Sequence, residues 1–127
     1  MITYKTHTMN KDLNHFVIFG GAGYLGGFLV REIASDSKNT ITIVTRNRSK
    51  KILFKDLTNV NFVEDVNEIK NEELYIINLA YGLDISFKKT KVLNNILLDS
   101  INKICSINKI KSLIHISSVV LSQDNPT

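Results

Sequence analysis

The chain has 127 residues, which accommodates one compact domain rather than a two-domain enzyme, since domains most often run about 100 to 150 residues. It is 43% apolar and 22% charged, a globular balance, and no apolar run approaches the roughly 18 residues that span a bilayer. One proline and six glycines exclude collagen-like and proline-rich classes, and the lone Cys105 excludes an intramolecular disulfide framework and any cysteine-based zinc cluster, so a cytoplasmic location is expected.

The formal charge of +4 is partly concentrated in Arg46-Asn47-Arg48-Ser49-Lys50-Lys51 and Lys88-Lys89-Thr90-Lys91. Two explanations compete: solvated lysines on helix ends and loops, or a site for phosphate-bearing ligands. Nucleic acid is disfavoured, because neither cluster is interleaved with aromatics and no helix presents a basic stripe. Residues 1–14 are polar and mixed in charge, without the features of a secretory signal or transit peptide, and read as a frayed leader before a domain over 15–127.

In chain order, Phe16-Val17-Ile18-Phe19 is a short apolar run that ends at a glycine pair and predicts a strand buried on both faces. A glycine loop, Gly20 to Gly27, leads into a helix whose inner face is predicted to carry Phe28, Leu29, Val30 and Ile33. Ile41-Thr42-Ile43-Val44 predicts a second buried strand, followed by a basic helix over about Ser49 to Leu57. Val60 to Val63 predicts a third strand, ending at Glu64-Asp65; a polar helical stretch and a fourth strand, Leu74 to Ala80, follow. From Lys91 to Asn108, Val92, Leu93, Ile96, Leu97, Ile101, Ile104 and Cys105 recur at three- and four-residue steps, an amphipathic helix with Cys105 on its apolar stripe. Ser112 to Ser118 predicts the fifth strand. Strands alternating with helices require crossover connections, hence an α/β, Rossmann-type doubly wound parallel sheet of order 3-2-1-4-5.

The loop holds two overlapping glycine registers, Gly21-x-Gly23-x-x-Gly26 and Gly20-x-x-Gly23-x-x-Gly26. In either, the first glycine permits a tight turn out of the strand, the middle one lets backbone N–H groups approach a pyrophosphate, and the last lets the helix pack closely on the sheet. The helix N-terminus would then face the phosphates. A strand before and a helix after are the context that a dinucleotide motif demands. Twenty residues past Gly26 stands Arg46, where an acid would bond the ribose hydroxyls of NAD. Arginine instead offers a charged fork suited to the 2′-phosphate of NADP, with Arg48 and Lys51 near enough to add charge.

Over Phe16 to Ser118, about four-fifths of its length, the chain resembles the extended short-chain dehydrogenase/reductase superfamily, and within it the NAD-dependent epimerase/dehydratase family that acts largely on nucleotide sugars. Val17-Ile18-Phe19-Gly20-Gly21-Ala22-Gly23-Tyr24-Leu25-Gly26 is similar to its opening motif, and Glu64-Asp65-Val66 to its G-D-V segment, which implies Asp65 beside the adenine amine. Asn78-Leu79-Ala80 resembles its H-L-A strand end, Asn94-Asn95 its N-V-x-G-T region, and Ile114 to Val120 the stretch that supplies a catalytic serine or threonine, here Ser118 with Ser117 behind it. Spacing and resemblance together give Gly20, Gly23, Tyr24, Leu25, Gly26, Arg46, Asp65, Val66, Leu79 and Ala80 as the residues that would contact NADP or NAD.

Arg46 stands where many members of that family carry an acid, which resembles NADP-using or atypical relatives, including non-catalytic NmrA-like regulators. The family's catalytic Tyr-x-x-x-Lys is also missing: the residues four beyond Tyr4, Tyr24, Tyr75 and Tyr81 are Thr8, Phe28, Leu79 and Ile85, and the sequence stops nine residues after Ser118. Ser118 alone has no base. The expectation is the cofactor-binding half of an epimerase, dehydratase or reductase, inactive by itself, with a small-molecule substrate once a C-terminal lobe completes it. A non-enzymatic NADP(H)-binding or redox-sensing module and a decayed remnant are the alternatives. His7, His15 and His115 lack partners at metal-ligand spacing, and His115 reads as a satisfied sheet histidine. The fifth strand, uncharged over Leu113 to Ile116, is expected to leave an exposed edge prone to self-association.

Overall fold

The computed structural model describes residues 13–21, 24–80 and 87–116. Five apolar segments become five parallel strands: β1 (Asn14–Phe19), β2 (Asn39–Val44), β3 (Val60–Val63), β4 (Glu73–Asn78) and β5 (Lys109–His115). They hydrogen-bond in the order β3-β2-β1-β4-β5, with Ile18 of β1 in register with Ile43 of β2 and Ile77 of β4. Two α-helices make the longer crossovers, α1 (Tyr24–Ala34) between β1 and β2, and α2 (Phe87–Ile107) between β4 and β5.

Successive side chains of a strand point to opposite faces, and the buried residues divide accordingly. Val17, Phe19, Leu74 and Ile76 pack on one face with Ile101 and Ile104 of α2, and with Val66 and Ile69. Ile18, Ile41, Ile43 and Ile77 pack on the other with Val30 and Ala34 of α1, and with Phe54. Each fully buried side chain contributes roughly 1.5 to 3 kcal/mol. The central strands are therefore held by burial on both faces, which explains why they read as continuous apolar runs instead of alternating ones.

Several boundaries differ from the sequence reading. The basic helix predicted over Ser49 to Leu57 is a 3-10 helix, Arg48–Phe54, and the polar helix before β4 shrinks to a single 3-10 turn, Val66–Glu68. The two turns share one cause: Asn47 and Asp65 cap them, Oδ1 of each accepting from the backbone N–H two residues on, 3.1 and 2.9 Å away. Such Asx geometry satisfies orphan amides locally and commits the chain to a tight turn. β4 ends at Asn78, so Leu79 and Ala80 lie just beyond it. β5 runs three residues earlier than expected, with Lys111 as an extra residue where the register slips between Leu74 and Tyr75, and its predicted end at 117–118 lies outside the described residues.

The predicted inner faces also need correcting. Phe28 is exposed, and Val92 and Ile96 of α2 are half-exposed, while among the described side chains of that helix Leu97, Ile101, Ile104 and Cys105 meet the core. Cys105 is partly buried against that core, as its stripe position predicts. At the amino end of the sheet the buried Thr42 is satisfied by His15, whose Nε2 lies 2.7 Å from its Oγ1, while His15 Nδ1 meets Glu72 Oε1 at 2.8 Å. Among the described residues no helix is long and apolar enough to cross a membrane, and no group of three or more His, Cys, Asp and Glu side chains could hold a metal ion.

Candidate functional site

The strand order reverses direction between β1 and β4, and in open α/β sheets the carboxyl ends on either side of such a switch point form a crevice. Gly20 leaves β1 with φ +81°, a left-handed backbone that favours glycine. A Cβ on Gly20 would lie 2.7 Å from Ala80 N and 2.9 Å from the Leu79 carbonyl carbon, so the tips of β1 and β4 touch backbone to backbone. A Cβ on Gly26 would run into the Gly20 carbonyl oxygen and lie 2.7 Å from Gly21 Cα. The first turn of α1 is thus pressed onto the loop that it follows. Gly20 and Gly26 serve as the sequence reading assigned them, one for the turn and one for close helix packing. Ala22 and Gly23 lie outside the described residues; Tyr24 begins α1, and Leu25 is exposed on it.

Beside this turn opens a cavity of about 340 Å³ lined by Gly20, Gly21, Val44, Thr45, Asn47, Lys50 and Ala80. Among the described residues that line it, Lys50 alone is charged, an ammonium facing a glycine turn. Arg46 does not line it. Arg46 is exposed and borders a larger groove of about 870 Å³ shared with Glu64, Asp65, Val66 and, on α2, chiefly polar residues such as Asp99, Asn102 and Lys103. Lys51 lines a third cavity, of about 270 Å³, together with Glu64, Asp65 and Glu68. The three cavities follow one another over the ends of β1, β2 and β3. The structure therefore brings together Gly20, Gly26, Ala80 and Leu79 at one end, and Arg46, Asp65 and Val66 at the other. The side chain of Arg48 is not described, and Ser118 and Ser117 lie outside the described residues.

The sequence reading selects Arg48 and Lys51 beside Arg46 and passes over Lys50, and the signal that points to Lys50 is the turn itself. A 3-10 helix has three residues per turn, so side chains three apart eclipse. Asn47 and Lys50 form one row, and both line the glycine cavity; position 51 belongs to the next row and turns to the acids. The segment is braced to α1 by Arg31, which donates to the Leu53 carbonyl at 2.5 Å and to Asp56 at 3.0 and 3.2 Å, and lies over the Phe54 ring. Hydrogen bonds from Arg31 hold the Asp56 carboxyl below the usual carboxylate range. The segment that carries Lys50 is thereby held to the helix that starts at the glycine turn.

At the end of β4, Asn78 is fully buried and hydrogen-bonds both Ala80 N–H and the ring of His115. This accounts for the satisfied sheet histidine and was not visible in the sequence, where nothing links positions 37 residues apart.

No known protein-family model matches the chain, and no curated protein matches it.

Proposed function

We propose that the chain binds a nicotinamide dinucleotide across the carboxyl ends of β1, β2 and β4, with NADP preferred, as the cofactor-binding part of an enzyme resembling the extended short-chain dehydrogenases, of epimerase/dehydratase or reductase type. The observation that carries the reading is the cradle of Gly20, Gly26 and Ala80, where a Cβ on either glycine would meet backbone, opening on a cavity lined by the ammonium of Lys50. Glycine turns of this kind leave room for an anionic group to approach main-chain N–H groups, and an ammonium alongside adds the counter-charge that phosphates need.

The dinucleotide, when bound, gives or takes a hydride at its nicotinamide ring. The residues of this chain bind and orient it. Gly20, Gly21 and Ala80 would hold the pyrophosphate region with Lys50 beside it, and Arg46 would neutralise a 2′-phosphate. Asp65 and Val66, at the mouth of the larger groove, would flank the adenine. Ser118, by resemblance, would align a substrate hydroxyl or carbonyl. A second reading, a non-catalytic NADP(H)-binding module, is favoured by Arg46, which stands where an acid would bond the ribose hydroxyls of NAD.

Fluorescence titration with NADPH and NADH tests the proposal. Saturable NADPH binding with weaker NADH binding is expected. No binding of either at millimolar cofactor overturns it. Hydride transfer in extracts complemented with the chain, lost on Ser118→Ala, would favour the enzyme over the module.

A further inference from the structure

The Asn78 side chain is fully buried on the α2 face of β4, where its neighbours along the strand on that face, Leu74 and Ile76, are equally buried apolar residues. An aliphatic side chain would fill such a place without having to satisfy an amide, and burying an amide without partners costs roughly 1 to 3 kcal/mol by mutational measures. Its two partners show what the amide does. The Ala80 backbone N–H, which can only donate, reaches Asn78 Oδ1 at 3.0 Å, and this fixes the amide's orientation. The Nδ2 group therefore faces His115 Nδ1 at 2.7 Å, and because an amide NH₂ can only donate, Nδ1 is the acceptor. The neutral His115 ring then carries its proton on Nε2.

The consequence reaches the glycine turn. Ala80 is the residue whose backbone touches Gly20, and the hydrogen bond to Asn78 sets where its amide points. The backbone here also ties the ends of β1, β4 and β5: the Asn78 carbonyl accepts from Ile116 N–H at 3.0 Å, while the next residue, Leu79, donates its N–H to the Phe19 carbonyl at 2.8 Å. His115 is exposed, so the chain His115, Asn78, Ala80, Gly20 runs from solvent to the floor of the cavity.

We infer that Asn78, held by His115 as the Nε2–H tautomer, is a positioning residue for the cradle, and that His115 acts on ligand binding through it. The inference rests on the dinucleotide reading above. His115 is the residue to vary, because at an exposed site the fold tolerates exchange. His115→Asn keeps an acceptor near the Nδ1 position, and His115→Leu keeps bulk but removes the acceptor.

Two-bond proton–nitrogen spectra of the unliganded chain should show the His115 proton on Nε2, and amide exchange should show Ala80 protected in the wild type and in His115→Asn but faster in His115→Leu. NADPH affinity should fall about five- to tenfold in His115→Leu, the effect of one lost hydrogen bond, and be restored in His115→Asn. A neutral ring protonated on Nδ1 overturns the inference. So does NADPH binding in the wild type with unchanged affinity in His115→Leu, or equal losses in both variants, which would mark a merely structural role. Failure of the wild type to bind NADPH, with the tautomer and Ala80 protection as expected, overturns the dinucleotide reading itself and with it the ligand role of the pair.

Discussion

Gly20 and Ala80 meet backbone to backbone across the β1–β4 seam, so closely that a Cβ on the first would sit 2.7 Å from the nitrogen of the second. That contact makes the glycines of this chain unequal. Gly20→Ala adds a left-handed alanine, a strain of about 1 to 2 kcal/mol, to a clash with immobile backbone. Gly26→Ala would collide with the Gly20 carbonyl and force α1 off the sheet, a cost of about 1 to 3 kcal/mol or more. Gly27, one residue on, has nothing within 4 Å of its would-be Cβ, and Gly27→Ala should stabilise by up to about 1 kcal/mol through helix propensity. Urea unfolding of the three variants should therefore give midpoints lower, lower and higher than the wild type. A destabilised Gly27→Ala would contradict the open surface described for it.

Lys50 and Lys51 are neighbours in sequence but open onto different cavities. A charge-assisted contact to a phosphate is worth roughly 1.5 to 3 kcal/mol, so Lys50→Ala should weaken NADPH binding by about ten- to a hundredfold. Lys51→Ala, which removes a cation already facing carboxylates, should change it less than threefold. Arg46→Asp should narrow the preference for NADPH over NADH, by way of the groove it shares with Asp65. Parallel titrations with both cofactors at one ionic strength decide the matter, and equal effects of the two lysine variants would show that the charge of the segment acts only at long range.

The strand order could be read from the sequence because the central strands are buried on both faces and announce themselves as unbroken apolar runs, as in Phe16 to Phe19 and Ile41 to Val44. Sites made by local geometry were less legible. The three-residue repeat that separates Asn47 and Lys50 from Lys51 arises from an Asx cap, which competes with a regular helix over the same residues. Periodicity also overstated the burial of two α2 residues, since Val92 and Ile96 fit the apolar stripe but are about half-exposed. The link between Asn78 and His115 joins β4 to β5, and only the register of the two strands brings them opposite each other.

The brace between Arg31 and Asp56 gives an acid-dependent contribution to stability whose sign is fixed. The Asp56 carboxyl is held below its ordinary value of 3.8, first by the hydrogen bond from Arg31. A lowered folded-state value stabilises at pH above the unfolded one, and that contribution is lost as pH falls through the folded value. Between about pH 5 and 2 the wild type should therefore lose more stability than Asp56→Asn, the variant being less stable at neutral pH and converging on the wild type in acid. Both groups are solvent-exposed, so the difference should shrink in high salt. Parallel pH profiles of thermal midpoints for the two chains would rule the brace out.

β5 pairs with β4 along one side, and Leu113 and Ile114, which point to opposite faces of the sheet, are each 50% exposed. Half-covered apolar residues on both faces of an edge strand, without a charge between Ser112 and His115, invite pairing with another β-strand. The purified 127-residue chain is therefore expected to self-associate with rising concentration. A lysine at an exposed edge position discourages such pairing, and because Ile114 is only half-buried its replacement should leave the fold intact. Ile114→Lys should shift the sedimentation profile toward monomer while the far-ultraviolet dichroism stays unchanged. A wild-type monomer at about 100 µM, in the concentration range where exposed edges associate, would show that this edge is protected.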